Sequence, residues 1–169
     1  MGQPDSFEQR RLLTEAMARL SHAGSIDEIV AILRESARTI AQADGITVIR
    51  RDGNQVAYIA EDALEPLWSG QSFPIEACIS GLAIIEAHPI HIPDIYEDPR
   101  VPVDAYRPTF VRSMAMYPIG LMGPSMAMGA YWRTAGAIDP GASALLASLA
   151  RYAGVTLGRV TDGKGADLA

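Results

Sequence analysis

The chain has 169 residues, of which 49% are hydrophobic and 20% charged, and its net charge is -6 at pH 7. This size and balance predict one globular domain with a substantial core and exclude a disordered chain. The acid excess argues against duplex DNA or RNA as a direct partner, and no apolar run approaches the roughly eighteen residues needed to cross a bilayer.

Single residues narrow the chemistry further. Cys78 is the only cysteine, so an internal disulfide is impossible, which fits a reducing compartment. Lys164 is the only lysine and lies in a polar tail, which excludes a buried-lysine mechanism such as a Schiff base. Residues 1–11 include Asp5 and Glu8 and lack an apolar core, so we expect no signal peptide. The prediction is a cytoplasmic protein without a nucleic-acid or membrane partner.

Two amphipathic helices are predicted near the N-terminus. Residues 5–22 repeat apolar side chains with helical spacing, and Gly24 ends this segment. The Ser25 hydroxyl can cap a second helix, with Glu28 as its capping-box partner. The apolar stripe of this helix consists of Ile29, Ile32, Leu33, Ser36 or Ala37, and Ile40. The pair Asp44-Gly45 ends it.

Short strands are predicted in the middle of the chain. The β-rich runs 46–50 and 55–60 flank Asp-Gly-Asn, a sequence typical of a hairpin turn. We expect residues 61–70 to form a short helix and a turn, and residues 71–75 to form a short strand.

The second half of the chain alternates further elements with a long connection. A helix over residues 79–87 is closed by Pro89, and a strand follows over 90–92. Residues 94–108 are rich in proline, which opposes regular structure, and long ordered loops are usually functional. Strands are then expected over 110–119 and 126–132, and a last helix runs from Asp139-Pro140 to about Val160.

These elements predict an α+β fold with a central sheet. The last two strands are joined by a short turn, which requires antiparallel pairing. The predicted organisation is an N-terminal helix over residues 1–24, one domain over 25–160 and a flexible polar tail over 161–169.

Six short segments, in order along the chain, resemble those of the GAF sensory domains that precede bacterial sensor histidine kinases. They are Arg51–Asn54, Glu61–Gln71 with its Leu-Trp-Ser-Gly-Gln end, Ala77–Gly81, Asp94–Arg100, Asp104–Phe110 and Met128–Trp132. The resemblance covers roughly residues 25–160. It implies an antiparallel sheet of about five or six strands, with the N- and C-terminal helices on one face and a loop-and-helix insertion on the other.

The resemblance also implies a signal-input function. A histidine-kinase region usually follows such domains and none follows here, so we expect a non-enzymatic sensor in signal transduction. It would bind a small-molecule effector and act on a histidine kinase or another signalling protein. Two alternatives remain open: a ligand-free dimerisation or interaction scaffold, and a thiol redox sensor through Cys78.

Seven residues are candidates for ligand contact. Arginine and tyrosine on a loop above a sheet can close on a small polar ligand, the guanidinium binding carboxylate or phosphate. The alternative is an Asp–Arg lattice that only holds the loop in shape. The methionines of the last strands either pack the core or line an adaptable pocket wall. The candidates are Cys78, Asp94, Tyr96, Tyr106, Arg107, Phe110 and Met116.

Cys78 has two interpretations. At a predicted helix start its thiol can be reactive, or it can be a small buried residue packed under the helix. The resemblance leaves the effector unidentified. The cysteine context of bilin-binding GAF domains is absent, haem ligation by His22, His88 or His91 is unsupported, and the cyclic-nucleotide signature is missing. Free methionine sulfoxide reductases, which are GAF relatives, need more than one cysteine.

Small residues form a stripe on the predicted last helix. Ala150, Gly154 and Gly158 recur every four residues, which permits close approach of another helix. That helix is either the first helix of the same chain or a helix of a second protomer. Leu146, Leu149, Ala153 and Val160 are expected to face the sheet. We therefore expect a homodimer through the terminal helices.

Overall fold

The computed structural model describes residues 6–167, with side chains over residues 6–162. Within that range the helices are α1 (Ser6–His22), α2 (Ile26–Ala41), α3 (Ile79–Glu86), α4 (Val103–Tyr106) and α5 (Pro140–Asp167). The strands are β1 (Gly45–Asp52), β2 (Gln55–Ala63), β3 (Ser72–Pro74), β4 (Ile90–Ile92), β5 (Ser113–Ile119) and β6 (Met126–Trp132). A 3₁₀ turn, Ile75–Ala77, precedes α3.

The six strands form one sheet in the order β3-β2-β1-β6-β5-β4. Every neighbouring pair is antiparallel. The β1–β2 hairpin turns at Gly53, whose φ of +59° lies in the left-handed region that glycine adopts without strain. The predicted α+β fold with an antiparallel central sheet is therefore confirmed.

The start of α2 follows the predicted capping chemistry, with one difference. The backbone N–H of Glu28 donates to the Ser25 hydroxyl at 3.1 Å. The Glu28 carboxylate accepts from the backbone N–H of Gly24 at 2.7 Å, one residue before the cap itself. The apolar stripe faces inward, because Ile29, Leu33, Ala37 and Ile40 are fully buried.

Side chains pack on both faces of the sheet, and the two layers are named here by what covers them. The helix-face core lies under α1, α2 and α5; its largest members include Leu20, Ile29, Leu33, Ile46, Val48, Met128, Leu146 and Leu149. The insertion-face core lies under residues 64–111; it includes Ile49, Tyr58, Trp68, Cys78, Ile79, Ile92, Tyr106, Met114, Met116 and Tyr131. The predicted two-sided arrangement is confirmed, and the sheet-facing residues of α5 are buried as expected.

The predicted helix between residues 61 and 70 is wrong, whereas the turn predicted with it is present. No helix forms there, because β2 stays paired with β1 as far as Ala63 and the following residues form an irregular turn. Three other features also differ from the prediction. β5 begins at Ser113 rather than 110, and the proline-rich connection contains the short helix α4.

The third difference is at the C-terminus. α5 continues to Asp167 instead of ending near Val160, so a helix covers most of the segment predicted as a polar tail. The side chain of Lys164, residues 1–5 and residues 168–169 lie outside the described part of the structure. Over residues 6–167, none of the helices combines the length and apolar character that a membrane crossing requires.

Candidate functional site

A short exposed segment after β2 carries one tryptophan into the insertion-face core. We call residues 64–71 the strap. The Glu61 carboxylate accepts three consecutive backbone N–H groups of the strap, from Leu67 at 2.8 Å, Trp68 at 2.9 Å and Ser69 at 2.6 Å. Such charge-assisted hydrogen bonds fix the backbone of a segment that has no regular structure of its own. They direct the Trp68 side chain inward, where the residue is only 6% exposed.

Three tyrosines surround the Trp68 ring, and we call them the tyrosine cage. Ring centroids lie 5.6 Å away for Tyr58, 4.8 Å for Tyr106 and 5.4 Å for Tyr131. The interplanar angles of 60° to 67° are tilted, close to the edge-to-face geometry that aromatic rings prefer. The indole N–H donates to the backbone carbonyl of Ala105 at 3.2 Å. The tryptophan is thus held by both ring contacts and a polar contact.

The cage hydroxyls are buried and paired. The Tyr131 hydroxyl lies 2.8 Å from Oγ1 of Thr47, and the Tyr58 hydroxyl lies 3.0 Å from Oγ of Ser80. Tyr106 donates to the sulfur of Met114, a weak acceptor, at 3.6 Å. Burial raises the pKa of all three phenols above the usual range, so they stay neutral hydrogen-bonding groups at pH 7.

Gly129 makes room for one of these pairs. Its place on β6 is opposite Thr47 in the β1–β6 register. A Cβ atom there would collide with the Tyr131 hydroxyl and with Oγ1 of Thr47. Because Gly129 has no side chain, the hydroxyls of Tyr131 and Thr47 can come into hydrogen-bond contact beside the sheet.

Cys78 borders the same region. It is the N-cap residue directly before α3, is 6% exposed, and its sulfur lies 3.6 Å from the carbonyl of Pro74. The Ser80 hydroxyl donates to this sulfur at 3.4 Å. The thiol is therefore covered by its own turn, which agrees with the packing interpretation; its reactivity stays a prediction.

The proline-rich connection carries an Asp–Arg lattice on its outer surface. Asp94 accepts from the backbone N–H of Tyr96 at 3.0 Å and from Arg112 at 3.4 Å. The Arg112 guanidinium also lies 5.2 Å from the centroid of the Tyr96 ring, which is 47% exposed. Arg107 pairs with Asp104 at 3.1 Å, with both side chains largely in solvent.

The structure separates the seven predicted contact residues into two groups. Cys78, Tyr106 and Met116 lie in the insertion-face core, and Phe110 packs at its margin. Asp94, Tyr96 and Arg107 lie on the outside, away from the tyrosine cage. Ligand contact by any of the seven stays a prediction.

The sequence analysis did not predict most of this arrangement. It missed two cage tyrosines, Tyr58 and Tyr131, and the residues that contact the cage, Trp68, Thr47 and Ser80. Two of them lie inside segments already singled out, since Trp68 belongs to Leu-Trp-Ser-Gly-Gln and Tyr131 to Met128–Trp132. The aromatic residues of these segments are the sequence feature that could have identified Trp68 and Tyr131 as site residues.

Most of the methionines pack in the two cores, and His91 lies at the margin of the sheet. Met114, Met116, Met126 and Met128 are buried, whereas Met122 is 94% exposed at the β5–β6 turn. Nε2 of His91 lies 3.2 Å from Oγ of Ser143, at the margin of the sheet. Over residues 6–162, no group of three or more histidine, cysteine, aspartate or glutamate side chains is placed to hold a metal ion.

The small-residue stripe of α5 does not face α1. Gly154 packs against the backbone of Gly120 in the β5–β6 turn, and Gly158 faces open space. α1 is instead held through Thr156, whose hydroxyl donates to the Leu20 carbonyl at 3.2 Å, and through Arg159, which donates to the carbonyls of Leu20 and Ser21. The predicted homodimer remains a prediction.

The fold is similar to solved structures of known proteins. One is the GAF domain of a phosphoenolpyruvate-protein phosphotransferase (ptsP) from Coxiella burnetii, with a TM-score of 0.80 and 15% identity over 96% of this chain and 99% of that chain. Another is the chromophore-binding domain of an unusual bacteriophytochrome from R. palustris, with a TM-score of 0.77 and 16% identity over 97% of this chain and 64% of that chain.

A third structure is an enzyme. It is a free methionine-R-sulfoxide reductase from Neisseria meningitidis in complex with its substrate, with a TM-score of 0.76 and 14% identity over 96% of each chain. No protein-family model matches the sequence, and no curated protein matches it. Likeness at such low identity carries the fold and leaves the activity open, since one fold hosts many functions. The order of elements and the coverage of nearly the whole chain show that this protein has the GAF fold.

Proposed function

We propose that this chain is a signal-input domain that binds a small molecule between the sheet and the insertion and has no catalytic output of its own. The observation that carries the proposal is the tyrosine cage. Ligand sites are mostly apolar and aromatic, with a few convergent polar groups that fix orientation. The insertion-face core has this composition, because aromatic rings pack together there and the paired hydroxyls of Tyr58, Tyr131, Thr47 and Ser80 are buried beside them.

The proposed output is a change in contacts with another protein. A ligand shifts an equilibrium only by its difference in affinity for two states. In this proposal the two states are arrangements of the insertion, and the terminal helices transmit the difference to a second protomer or a signalling partner such as a histidine kinase. The proposed location is the cytoplasm.

The absence of catalysis is also part of the proposal. Free methionine-R-sulfoxide reductases share the fold. The chain has a single cysteine, however, and that thiol is buried at the start of α3. A catalytic cycle that forms a disulfide between two cysteines of one chain therefore lacks its second cysteine.

One observation favours a second candidate, the ligand-free interaction scaffold. In this conformation side chains occupy the centre of the proposed site, with Trp68 in the middle of the cage. A domain that only dimerises or docks a partner needs no vacant space there.

A thermal-shift screen tests the proposal. Nucleotides, amino acids and aromatic acids are added to the purified protein, and a ligand of the folded state raises Tm with its concentration. We expect at least one such rise, which Tyr131→Phe weakens and which Leu121→Ala, at an exposed site on the β5–β6 turn, leaves unchanged. Indifference to the whole panel contradicts ligand sensing and favours the scaffold. An absorbance band in the visible range would redirect the search to a bound chromophore.

A further inference from the structure

Trp68 belongs to a different kind of chain segment from its aromatic neighbours in the insertion-face core. The three cage tyrosines belong to regular elements, Tyr58 to β2, Tyr131 to β6 and Tyr106 to α4. Trp68 is carried by the strap, of which every residue except Leu67 and Trp68 is exposed. Two cage tyrosines therefore come from the sheet and one from a short helix of the insertion, whereas the occupant comes from an irregular surface segment.

The indole is bound as a ligand would be bound. Its ring contacts aromatic faces or edges on three sides, and its only polar atom meets an acceptor, the Ala105 carbonyl. An occupant without a ring N–H would leave that partly buried carbonyl without this hydrogen bond, which lowers the affinity of such an occupant. The cage thus holds a flat aromatic ring system of indole size whose N–H donor is paired.

The attachment of the strap allows exchange. Its first half is held by the Glu61 carboxylate, whose three hydrogen bonds end on the segment from Leu67 to Ser69. Its second half is tied to β2 by Gly70 and Gln71, which exchange backbone hydrogen bonds with Tyr58 at 2.8 and 2.9 Å. Gly70 has a φ of +86°, a region that glycine enters freely, and directly follows the segment that Glu61 holds. The β2 attachment involves Gly70 and Gln71 and not the Trp68 side chain, so a rotation of that side chain does not require this attachment to break.

We propose that Trp68 is an internal occupant of the ligand site, and that the effector is a planar aromatic molecule with a ring N–H donor that takes its place in the tyrosine cage. This inference rests on the proposed function and specifies its ligand class. It makes the strap the element that changes state. In the free protein Trp68 fills the cage, and in the bound protein the strap and its tryptophan turn toward solvent.

The first experiment uses the wild-type chain, which has two tryptophans, Trp68 and Trp132. Both are labelled as fluorotryptophan, assigned through Trp68→Phe and Trp132→Phe, and followed by fluorine NMR while unlabelled indole is added. We expect the Trp68 signal to move toward the position of an exposed tryptophan with saturation. The Trp132 signal should stay, because its indole bonds the Gln42 carbonyl at 3.1 Å on the other face. An unchanged Trp68 signal up to the solubility limit of indole overturns the inference.

The second experiment empties the cage. In Trp68→Ala, indole should restore the lost Tm in a saturable way, since apolar cavities left by a removed ring accept small aromatic molecules. Benzofuran has the same shape without the N–H, and it should bind about tenfold more weakly. Trp132→Ala is the matched control and should gain nothing. Equal rescue by both compounds, or rescue of the control, contradicts the selectivity; if Trp68→Ala does not fold, the NMR titration alone decides.

The two proposals fail differently. A compound from the thermal-shift panel that stabilises the wild type without moving the Trp68 signal overturns the exchange and leaves ligand sensing intact. Indifference of the wild type to the entire panel and to indole overturns both.

Discussion

The two faces of the sheet carry cores of different chemistry. The helix-face core is built mainly from leucine, isoleucine, valine, alanine and methionine. Its tyrosine, Tyr117, directs the hydroxyl to Ser143 at the margin of the sheet. The insertion-face core instead encloses four aromatic rings, two of which pair their hydroxyls with buried Thr47 and Ser80. Aliphatic packing is sufficient for stability, and the paired polar groups of the second core are the feature on which the proposed ligand site rests.

Alternation along each strand produces this difference. On β1, Thr47 and Ile49 face the insertion, whereas Ile46 and Val48 face the helices. On β6, Met128 faces the helices and Tyr131 faces the insertion. One strand therefore contributes side chains to the helix-face core and to the insertion-face core at once.

The largest effect that we predict is alkaline unfolding driven by the cage. Burial raises the pKa of Tyr58, Tyr106 and Tyr131 in the folded state, whereas in the unfolded chain tyrosine ionises near its ordinary pKa of about 10. Their contribution to stability is thus complete below about pH 10 and is lost as the pH rises toward the folded-state pKa. Above pH 10, three such groups lower the free energy of unfolding by about 4 kcal/mol per pH unit. A domain whose free energy of unfolding is about 8 kcal/mol would therefore unfold near pH 12.

Tyrosinate absorbance and circular dichroism, recorded together, measure this effect. The cage tyrosines should ionise only as the fold is lost, and Tyr131→Phe should make the pH dependence shallower. Tyr96→Phe, at an exposed ring, should leave it unchanged. Ionisation of all six tyrosines near pH 10 with the fold intact would contradict the buried cage.

The next effect tests whether the cage hydroxyls act as pairs. Tyr131→Phe or Thr47→Val alone leaves one buried hydroxyl without its partner, and each should lower the free energy of unfolding by about 1–2 kcal/mol. The double variant removes both hydroxyls and should lose little more than either single variant. Denaturant unfolding of the four proteins gives the coupling energy. Strictly additive losses would show that the two side chains do not depend on each other.

Much of the fold could be predicted from local patterns. The helical spacing from Ile29 to Ile40 defines α2, and Asp-Gly-Asn defines the β1–β2 turn, because both signals come from residues close in sequence. The segment after Glu61 shows the limit. Its residues Glu61 to Leu64 suit a helix locally, but pairing with β1 extends β2 and turns Glu61 into an anchor for the strap. Tertiary pairing overrides the local preference there.

The candidate site was less predictable for the same reason. The sequence draws attention to charged and aromatic residues in a loop, such as Asp94 and Arg107, and these lie on the outer surface. The cage depends on contacts between distant residues. Thr47 and Tyr131 are 84 positions apart, and they meet only through the β1–β6 register and the missing side chain of Gly129. No local period encodes such a meeting.

The smallest effect concerns the helix that covers the helix-face core. A Cβ atom added to Gly158 on α5 would have no neighbour within 4 Å, whereas a Cβ on Gly154 would lie 3.0 Å from the backbone nitrogen of Gly120. Gly158→Ala should therefore raise the free energy of unfolding by about 0.5–1 kcal/mol, because alanine restricts the unfolded chain and favours helix. Gly154→Ala should bring no such gain, since Gly120 has a φ of +131° and its backbone cannot move freely.

Denaturant unfolding of both variants, with sedimentation to follow association, separates packing from assembly. If Gly158→Ala is stabilising and leaves association unchanged, the open glycine has no role in a helix contact. If it instead lowers stability only at protein concentrations where the wild type associates, α5 contacts a second protomer at Gly158. That result would extend the comparison of the two faces, because the stabilising layer would then also carry the surface through which a change in the cage reaches a partner.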